Sequence, residues 1–184
     1  MKNKPLWVRC MIASATTFAL ALPLAASAAT DWFLKIDGIK GESQAQGHKD
    51  EIDILAWSWG LSRGTGAADR GGKGPGACVS EMAFSKYLDA ATPLLMANVA
   101  SGMTIPKARL GVRKTGGDGT TQEFFVVEMV SVVISSVAES GSPGDLPLES
   151  ISLRFGSAKV IYKTQKADGT LGTPIETTLK GGGC

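Results

Sequence analysis

The 184-residue sequence predicts a mainly β fold: antiparallel strands closed into a barrel, with one flanking α-helix. Three observations carry this. Apolar and polar residues alternate over successive stretches, which is the period of a half-buried strand and not of a helix. All 23 glycines follow Thr30 without a three-residue period, and turn dipeptides such as Asp37-Gly38 and Asp168-Gly169 punctuate the alternating stretches. Only one segment opens with a strong helix-start signal. With about seven strands, closure of the sheet is the simplest way to remove exposed edges.

Taken in order, residues 32–36 form a strand that ends at the Asp37-Gly38 turn, and residues 41–49 are polar. Residues 51–62 read as one strand, in which Ile52, Ile54 and Ala56 alternate with Asp53, Leu55, Trp57 and Trp59. The second half is uncharged on both faces, so it is buried on both sides or meets a neighbouring subunit. Seven glycines from Gly60 to Cys78, Gly60 included, predict an extended, mobile loop over 63–77. Residues 79–84 resume strand character. Thr92 and Pro93 then open a helix, the hydroxyl capping free N–H groups and the proline presetting its angle, and Gly102 closes it near 101. Residues 107–115 and 122–137 make a hairpin about the glycine-rich turn at 116–119. A polar loop spans 138–147. Residues 148–166 are a long strand whose period shifts near Gly156, which predicts a bulge. Residues 174–179 are the last strand, before a flexible tail from about 178 to 184.

Residues 1–28 read as a cleavable secretory leader. Lys2, Lys4 and Arg9 precede an uncharged run, and Ala26-Ser27-Ala28 supplies the small residues of a cleavage site. The apolar stretch 11–24 is short for a bilayer span of about 20 residues, which disfavours a permanent anchor. Cleavage leaves a single domain over 29–184, exported to periplasm or medium, with no membrane role implied. It also removes three of 19 basic residues, leaving 16 against 17 acidic. That balance offers nucleic acid no basic footprint. Cys10 departs with the leader, so Cys78 and Cys184 either form a disulfide in the oxidising compartment or stand as two free thiols.

Catalytic chemistry is not indicated, and no cofactor is expected. The one histidine, His48, lies in a polar loop with no G-x-S-x-G nearby. Gly71-Gly72-Lys73-Gly74 lacks the first glycine and the hydroxyl residue of a phosphate loop. Asp50, Glu51 and Asp53 alternate across a strand entry, which separates neighbours onto opposite faces. Two cysteines and a histidine far apart fall short of a zinc pattern.

The stretch DWFLKIDGIKGES at 31–43, followed by HKDEIDILAWSWG at 48–60, resembles the haemolysin-coregulated protein (Hcp) family, the tube protein of type VI secretion. The likeness continues through FSKYLD at 84–89, Thr92-Pro93, Ser101-Gly102, Arg113-Lys114 and 132–137, covering 31 to about 166. Trp57-Ser58-Trp59 with Gly41-Glu42-Ser43 is its most specific part. The leader and the ending TTLKGGGC fall outside it. The resemblance implies a β-barrel of two packed antiparallel sheets with a flanking helix. It also implies self-assembly into six-membered rings that stack into a tube within a contractile sheath, beneath a VgrG-type spike, and that carry small effector proteins.

Two functions follow, neither an enzyme. The first is a ring-forming structural subunit of that tube, exported and able to carry effectors. The second is an envelope-located binding or assembly module of the same fold, acting without a sheath. Strand alternation puts Ser58 opposite Trp57 and Trp59. The two tryptophans are assigned to barrel packing, and Ala56, Ser58 and Gly60 to the channel face or to plain solvent. Arg63, Arg70, Lys73 and Cys78 mark the loop expected to reach a neighbouring ring.

Overall fold

A computed structural model describes residues 30–63, 77–115, 120–166 and 168–181. Residues 1–28, read above as a leader, the turn expected at 116–119, Arg70, Lys73 and Cys184 lie outside the described residues. The elements are β1 (Thr30–Ile36), β2 (Ile52–Ile54), β3 (Ala56–Ser58), β4 (Leu61–Arg63), β5 (Ala77–Val79), β6 (Met82–Tyr87), α1 (Thr92–Ser101), β7 (Ile105–Thr115), β8 (Thr121–Ser140), β9 (Leu148–Gln165) and β10 (Leu171–Lys180). The main sheet runs β2-β1-β7-β8-β9-β6-β3, with β10 also on β9, while β4 and β5 pair separately.

The end strands β2 and β3 are joined by Leu55 alone, so the sheet comes back on itself as a nearly closed barrel. Trp32 faces Ile54 across one side of this seam, and Ala56 faces Ser85 across the other. The Leu55 N–H donates to Ser85 O at 2.8 Å. This corrects the single strand predicted over 51–62, which is three short strands. The buried phase changes at the break, from Ile52 and Ile54 on β2 to Trp57 and Trp59 beyond it, with Leu55 and Ala56 both exposed between them.

The core lies within the barrel. Its inward residues are Leu34 and Ile36 on β1, Ile105, Ala108, Leu110 and Val112 on β7, Val127, Met129, Val132 and Ile134 on β8, and Ile151, Leu153, Phe155 and Ala158 on β9. Three of these strands change phase in the same row. Flanking registers put Pro106 opposite Ser131 and Ser131 opposite Gly156. Ser131 takes a left-handed φ of 54°, and a Cβ on Gly156 would meet Ser131 Cβ at 3.2 Å. The shift predicted at Gly156 is therefore a corner folded across β7, β8 and β9, not a slip of one strand. Register irregularities fall instead at Val112/Arg113, Ile134/Ser136 and Leu171/Pro174.

The helix departs from the prediction at its start. Ala91 occupies the cap position, without a side-chain cap bond, and Thr92 is already helical. At the other end Gly102 adopts φ 62° and donates its N–H to Asn98 O and Val99 O, as a left-handed glycine does. β10 reaches Lys180, so Thr178, Leu179 and Lys180 belong to a strand and not to the tail. Among the described residues no helix is long and apolar enough to cross a membrane.

Candidate assembly surface

At the seam the pleat divides the WSW block. Ala56, Ser58 and Gly60 are exposed, whereas Trp57 and Trp59 are half-buried against the core. Trp57 stacks on Phe125 at 5.7 Å between centroids, and Trp59 meets Phe155 edge-on at 5.8 Å. The Trp59 indole N–H donates to Ser80 O at 3.2 Å, which satisfies its polar end. Ser80 donates its N–H to Gly60 O at 2.9 Å and its hydroxyl accepts the Gly60 N–H at 2.9 Å, and the ladder continues to Ser62 opposite Cys78 and exposed Arg63 opposite Ala77. β4 and β5 thus form the stem of the glycine-rich segment, whose residues 64–76 lie outside the described ones.

The Gly41-Glu42-Ser43 block has a separate physical task. A Cβ on Gly41 would lie 2.7 Å from Ile52 Cα and 2.8 Å from Glu51 C, so only glycine lets these backbones pass. Glu42 accepts the Ala90 N–H at 3.1 Å just before the helix. Buried Ser43 exchanges backbone bonds with Asp50 and Glu51. This segment roofs Phe33, whose ring is stacked by His48 at 4.0 Å on one side and approached by the Arg113 guanidinium at 4.7 Å. His48 Nδ1 lies 2.8 Å from Glu51 Oε2. The sole histidine is thereby spent on packing.

Sequence reasoning missed a buried charge cluster beneath the helix start. Lys86 Nζ lies 2.6 Å from Glu149 and 2.7 Å from Asp89, and both Lys86 and Glu149 are 0% exposed. The Thr92 hydroxyl donates to Glu149 at 3.2 Å and accepts from Lys86, so it fastens α1 to β6 and β9 instead of capping the helix. A signal was present. Lys86 keeps the inward phase of Met82 and Phe84, and Glu149 that of Ile151 and Leu153, with opposite charges in register.

A second cluster is titratable. The irregular residue Ser135 on β8 places its hydroxyl 2.6 Å from Glu81, and Arg154 bonds the same carboxylate at 2.7 Å. The Ser135 hydroxyl first, and then Arg154, hold the Glu81 carboxyl below its ordinary value of 4.5. Its contribution is complete above pH 4.5 and is lost as the pH falls through the lower folded value. Because the pair is partly exposed, its worth is under about 1 kcal/mol. Glu81→Gln is expected to melt slightly below the parent at neutral pH and to converge with it in acid, as read from melting temperature against pH.

The outer face of the sheet carries a groove of about 440 Å³, lined in part by Lys35, Lys107, Arg109 and Lys159 beside Asp37 and Glu128. Arg109 is paired with Glu123 and Lys159 with Glu176, so opposite charges are interspersed. Among the described residues no three His, Cys, Asp or Glu groups come together in a metal-binding arrangement. Apolar exposure is more telling. Tyr162 on β9 and Ile175 on β10 face each other, 44% and 66% exposed, and β10 pairs with β9 on one edge only. Helix α1 carries no charged residue and exposes Leu94 and Met96.

Residues 33–162 match the family model described as type VI secretion system effector, Hcp. The chain belongs to the Hcp family. The Hcp1 protein of Pseudomonas aeruginosa is 42% identical over 151 residues, covering 80% of this chain and 93% of that protein. Among solved structures, Hcp1 from Salmonella typhimurium superposes with a TM-score of 0.66 at 32% identity, over 83% of this chain and 94% of that one. A type VI secretion system effector from Yersinia pestis gives 0.66 at 31% identity, over 82% and 99%. Hcp proteins are tube proteins of type VI secretion, and the barrel with one helix found here is their fold. β10 lies beyond the span of the family model.

Proposed function

We propose that this Hcp-family chain is a ring-forming subunit of a type VI secretion inner tube, homo-hexameric and stacked. In this reading it lies within a sheath and beneath a VgrG-type spike, and carries small effectors in its channel. The carrying observation is the family match across 33–162. Support comes from the surface a lone barrel leaves open: Tyr162 and Ile175 beside a strand edge, and the uncharged outer face of α1. Exposed apolar patches rimmed by polar residues mark contacts between chains. Ser58, with Ala56 and Gly60, faces the channel, and the segment containing Arg63, Arg70 and Lys73 reaches the next ring.

Native mass spectrometry of the purified protein is expected to give six subunits, and a stable monomer would overturn the ring. Ser58→Arg is expected to leave the ring mass unchanged and to abolish co-purification of a channel effector; full retention would remove Ser58 from the channel. The leader supports a second reading, an envelope module acting without a sheath. Intact mass separates the two. A secreted chain that retains its leader favours the tube, and a periplasmic chain beginning at Ala29 favours the module.

A further inference from the structure

β9 carries two partners on one edge. Residues 148–153 pair with β6, and 157–165 pair with β10. β6 begins and β10 ends at the fork between them: Met82 is opposite Leu153, Lys180 is opposite Ser157, and Gly181 donates its N–H to Gly156 O at 2.8 Å. The chain preceding Met82 and the chain following Gly181 therefore leave the sheet at the same place. Gly181 is pressed onto the strand, since a Cβ there would lie 2.8 Å from Phe155 C and from Phe155 Cδ2. The Phe155 ring meets Trp59, whose N–H reaches Ser80 O. Gly181 thus abuts Phe155, which is linked to Ser80 through Trp59, and Cys78, two residues before Ser80, is disulfide-bonded.

We propose that the partner of Cys78 is Cys184, and that the bond clasps the carboxyl end of the chain to the β4–β5 stem. The remaining cysteine, Cys10, lies in the stretch 1–28 read from the sequence as a cleavable leader. The three residues after Gly181 reach about 10 Å when extended, and a disulfide spans about a further 5.5–6 Å between Cα atoms. That combined reach exceeds the 5.8 Å between the Phe155 and Trp59 ring centroids that lie between Gly181 and the Ser80 side. Gly182 and Gly183 leave the approach free of side chains. In the bond-forming step two S–H bonds are lost and one S–S bond is made. The two protons and two electrons pass to a thiol–disulfide oxidant, whose own disulfide becomes two thiols. The clasp holds β10 at its end and fixes the stem at Ser62 opposite Cys78. Its effect on ring stacking rests on the tube reading, but the bond itself does not.

The full chain, made in an export-competent bacterium, is purified without reductant after its thiols are blocked, and digested with trypsin. Residues 74–86 are expected joined to 181–184, in a protein that runs as a single chain on a non-reducing gel and gains two hydrogens on reduction. Amide exchange at 177–181 is expected to accelerate at least about tenfold in Cys184→Ser, while the barrel strands keep their protection. Blocked thiols at both positions, Cys78 joined to Cys10, or the same peptides joined between two chains would each overturn the clasp. Rings with free thiols sink the clasp alone; a closed clasp without rings sinks the tube reading alone.

Discussion

Lys86→Met is expected to lower stability by about 3–5 kcal/mol, the cost of leaving a buried charge without its partner. Glu149 is 0% exposed, and its Oε1 has no hydrogen-bond partner while Oε2 takes both Lys86 and Thr92. Removing the ammonium leaves that carboxylate with one neutral hydroxyl in a site walled by β6, β9 and the helix start. The double variant Lys86→Met, Glu149→Leu is expected to regain most of the loss, because an apolar pair of similar volume carries no desolvation penalty. Urea midpoints at fixed protein concentration check both. A single variant costing under about 1 kcal/mol would mean that the pair does not fasten the helix. In the ring proposed above, which would use the uncharged outer face of α1, the single variant is also expected to reduce hexamer yield before it unfolds the barrel.

Gly41→Ala is expected to cost about 2–3 kcal/mol, as overpacking against backbone does. The added methyl meets Glu51 and Ile52 main-chain atoms, which cannot rotate aside. Relief requires the 41–51 segment to lift. That releases the Ala90 N–H from Glu42 and uncovers Phe33. Gly38→Ala is the comparison: Gly38 has φ 79° with nothing within 4 Å of a Cβ, so it reports left-handed strain alone, about 1–2 kcal/mol. Thermal unfolding ranks the two, and faster amide exchange confined to 41–51 is expected only in the first. Equal losses without that local exchange would refute close backbone approach as the role of Gly41.

The alternation at 107–115, 122–137 and 148–166 was enough to read three long strands, because one buried face imposes a period of two wherever it lies. Trp57 and Trp59 could be separated from Ser58 on the same ground. The Gly41-Glu42-Ser43 block was visible as a resemblance, but its reason was not. A glycine needed for close approach looks like a turn glycine until Ile52 is placed against it. The Thr92 hydroxyl was misread as a cap because Lys86 and Glu149 sit far from it along the chain, and a local signal gives way to a buried cation and carboxylate that must be satisfied.

By itself the sequence determined the β class, the helix near 92–101 with its glycine stop, and the family. Each of these is written in local periodicity or in contiguous motifs. Only the tertiary structure decided where the barrel closes, at Leu55, and that the phase change at Gly156 is a corner shared with Pro106 and Ser131. It alone placed the Lys86–Glu149 pair under the helix, and Gly181 beside Phe155 at the fork of β9. Each of these depends on strand pairing between residues distant in sequence, and pairing is fixed by the joint burial of several strands, which no single stretch records.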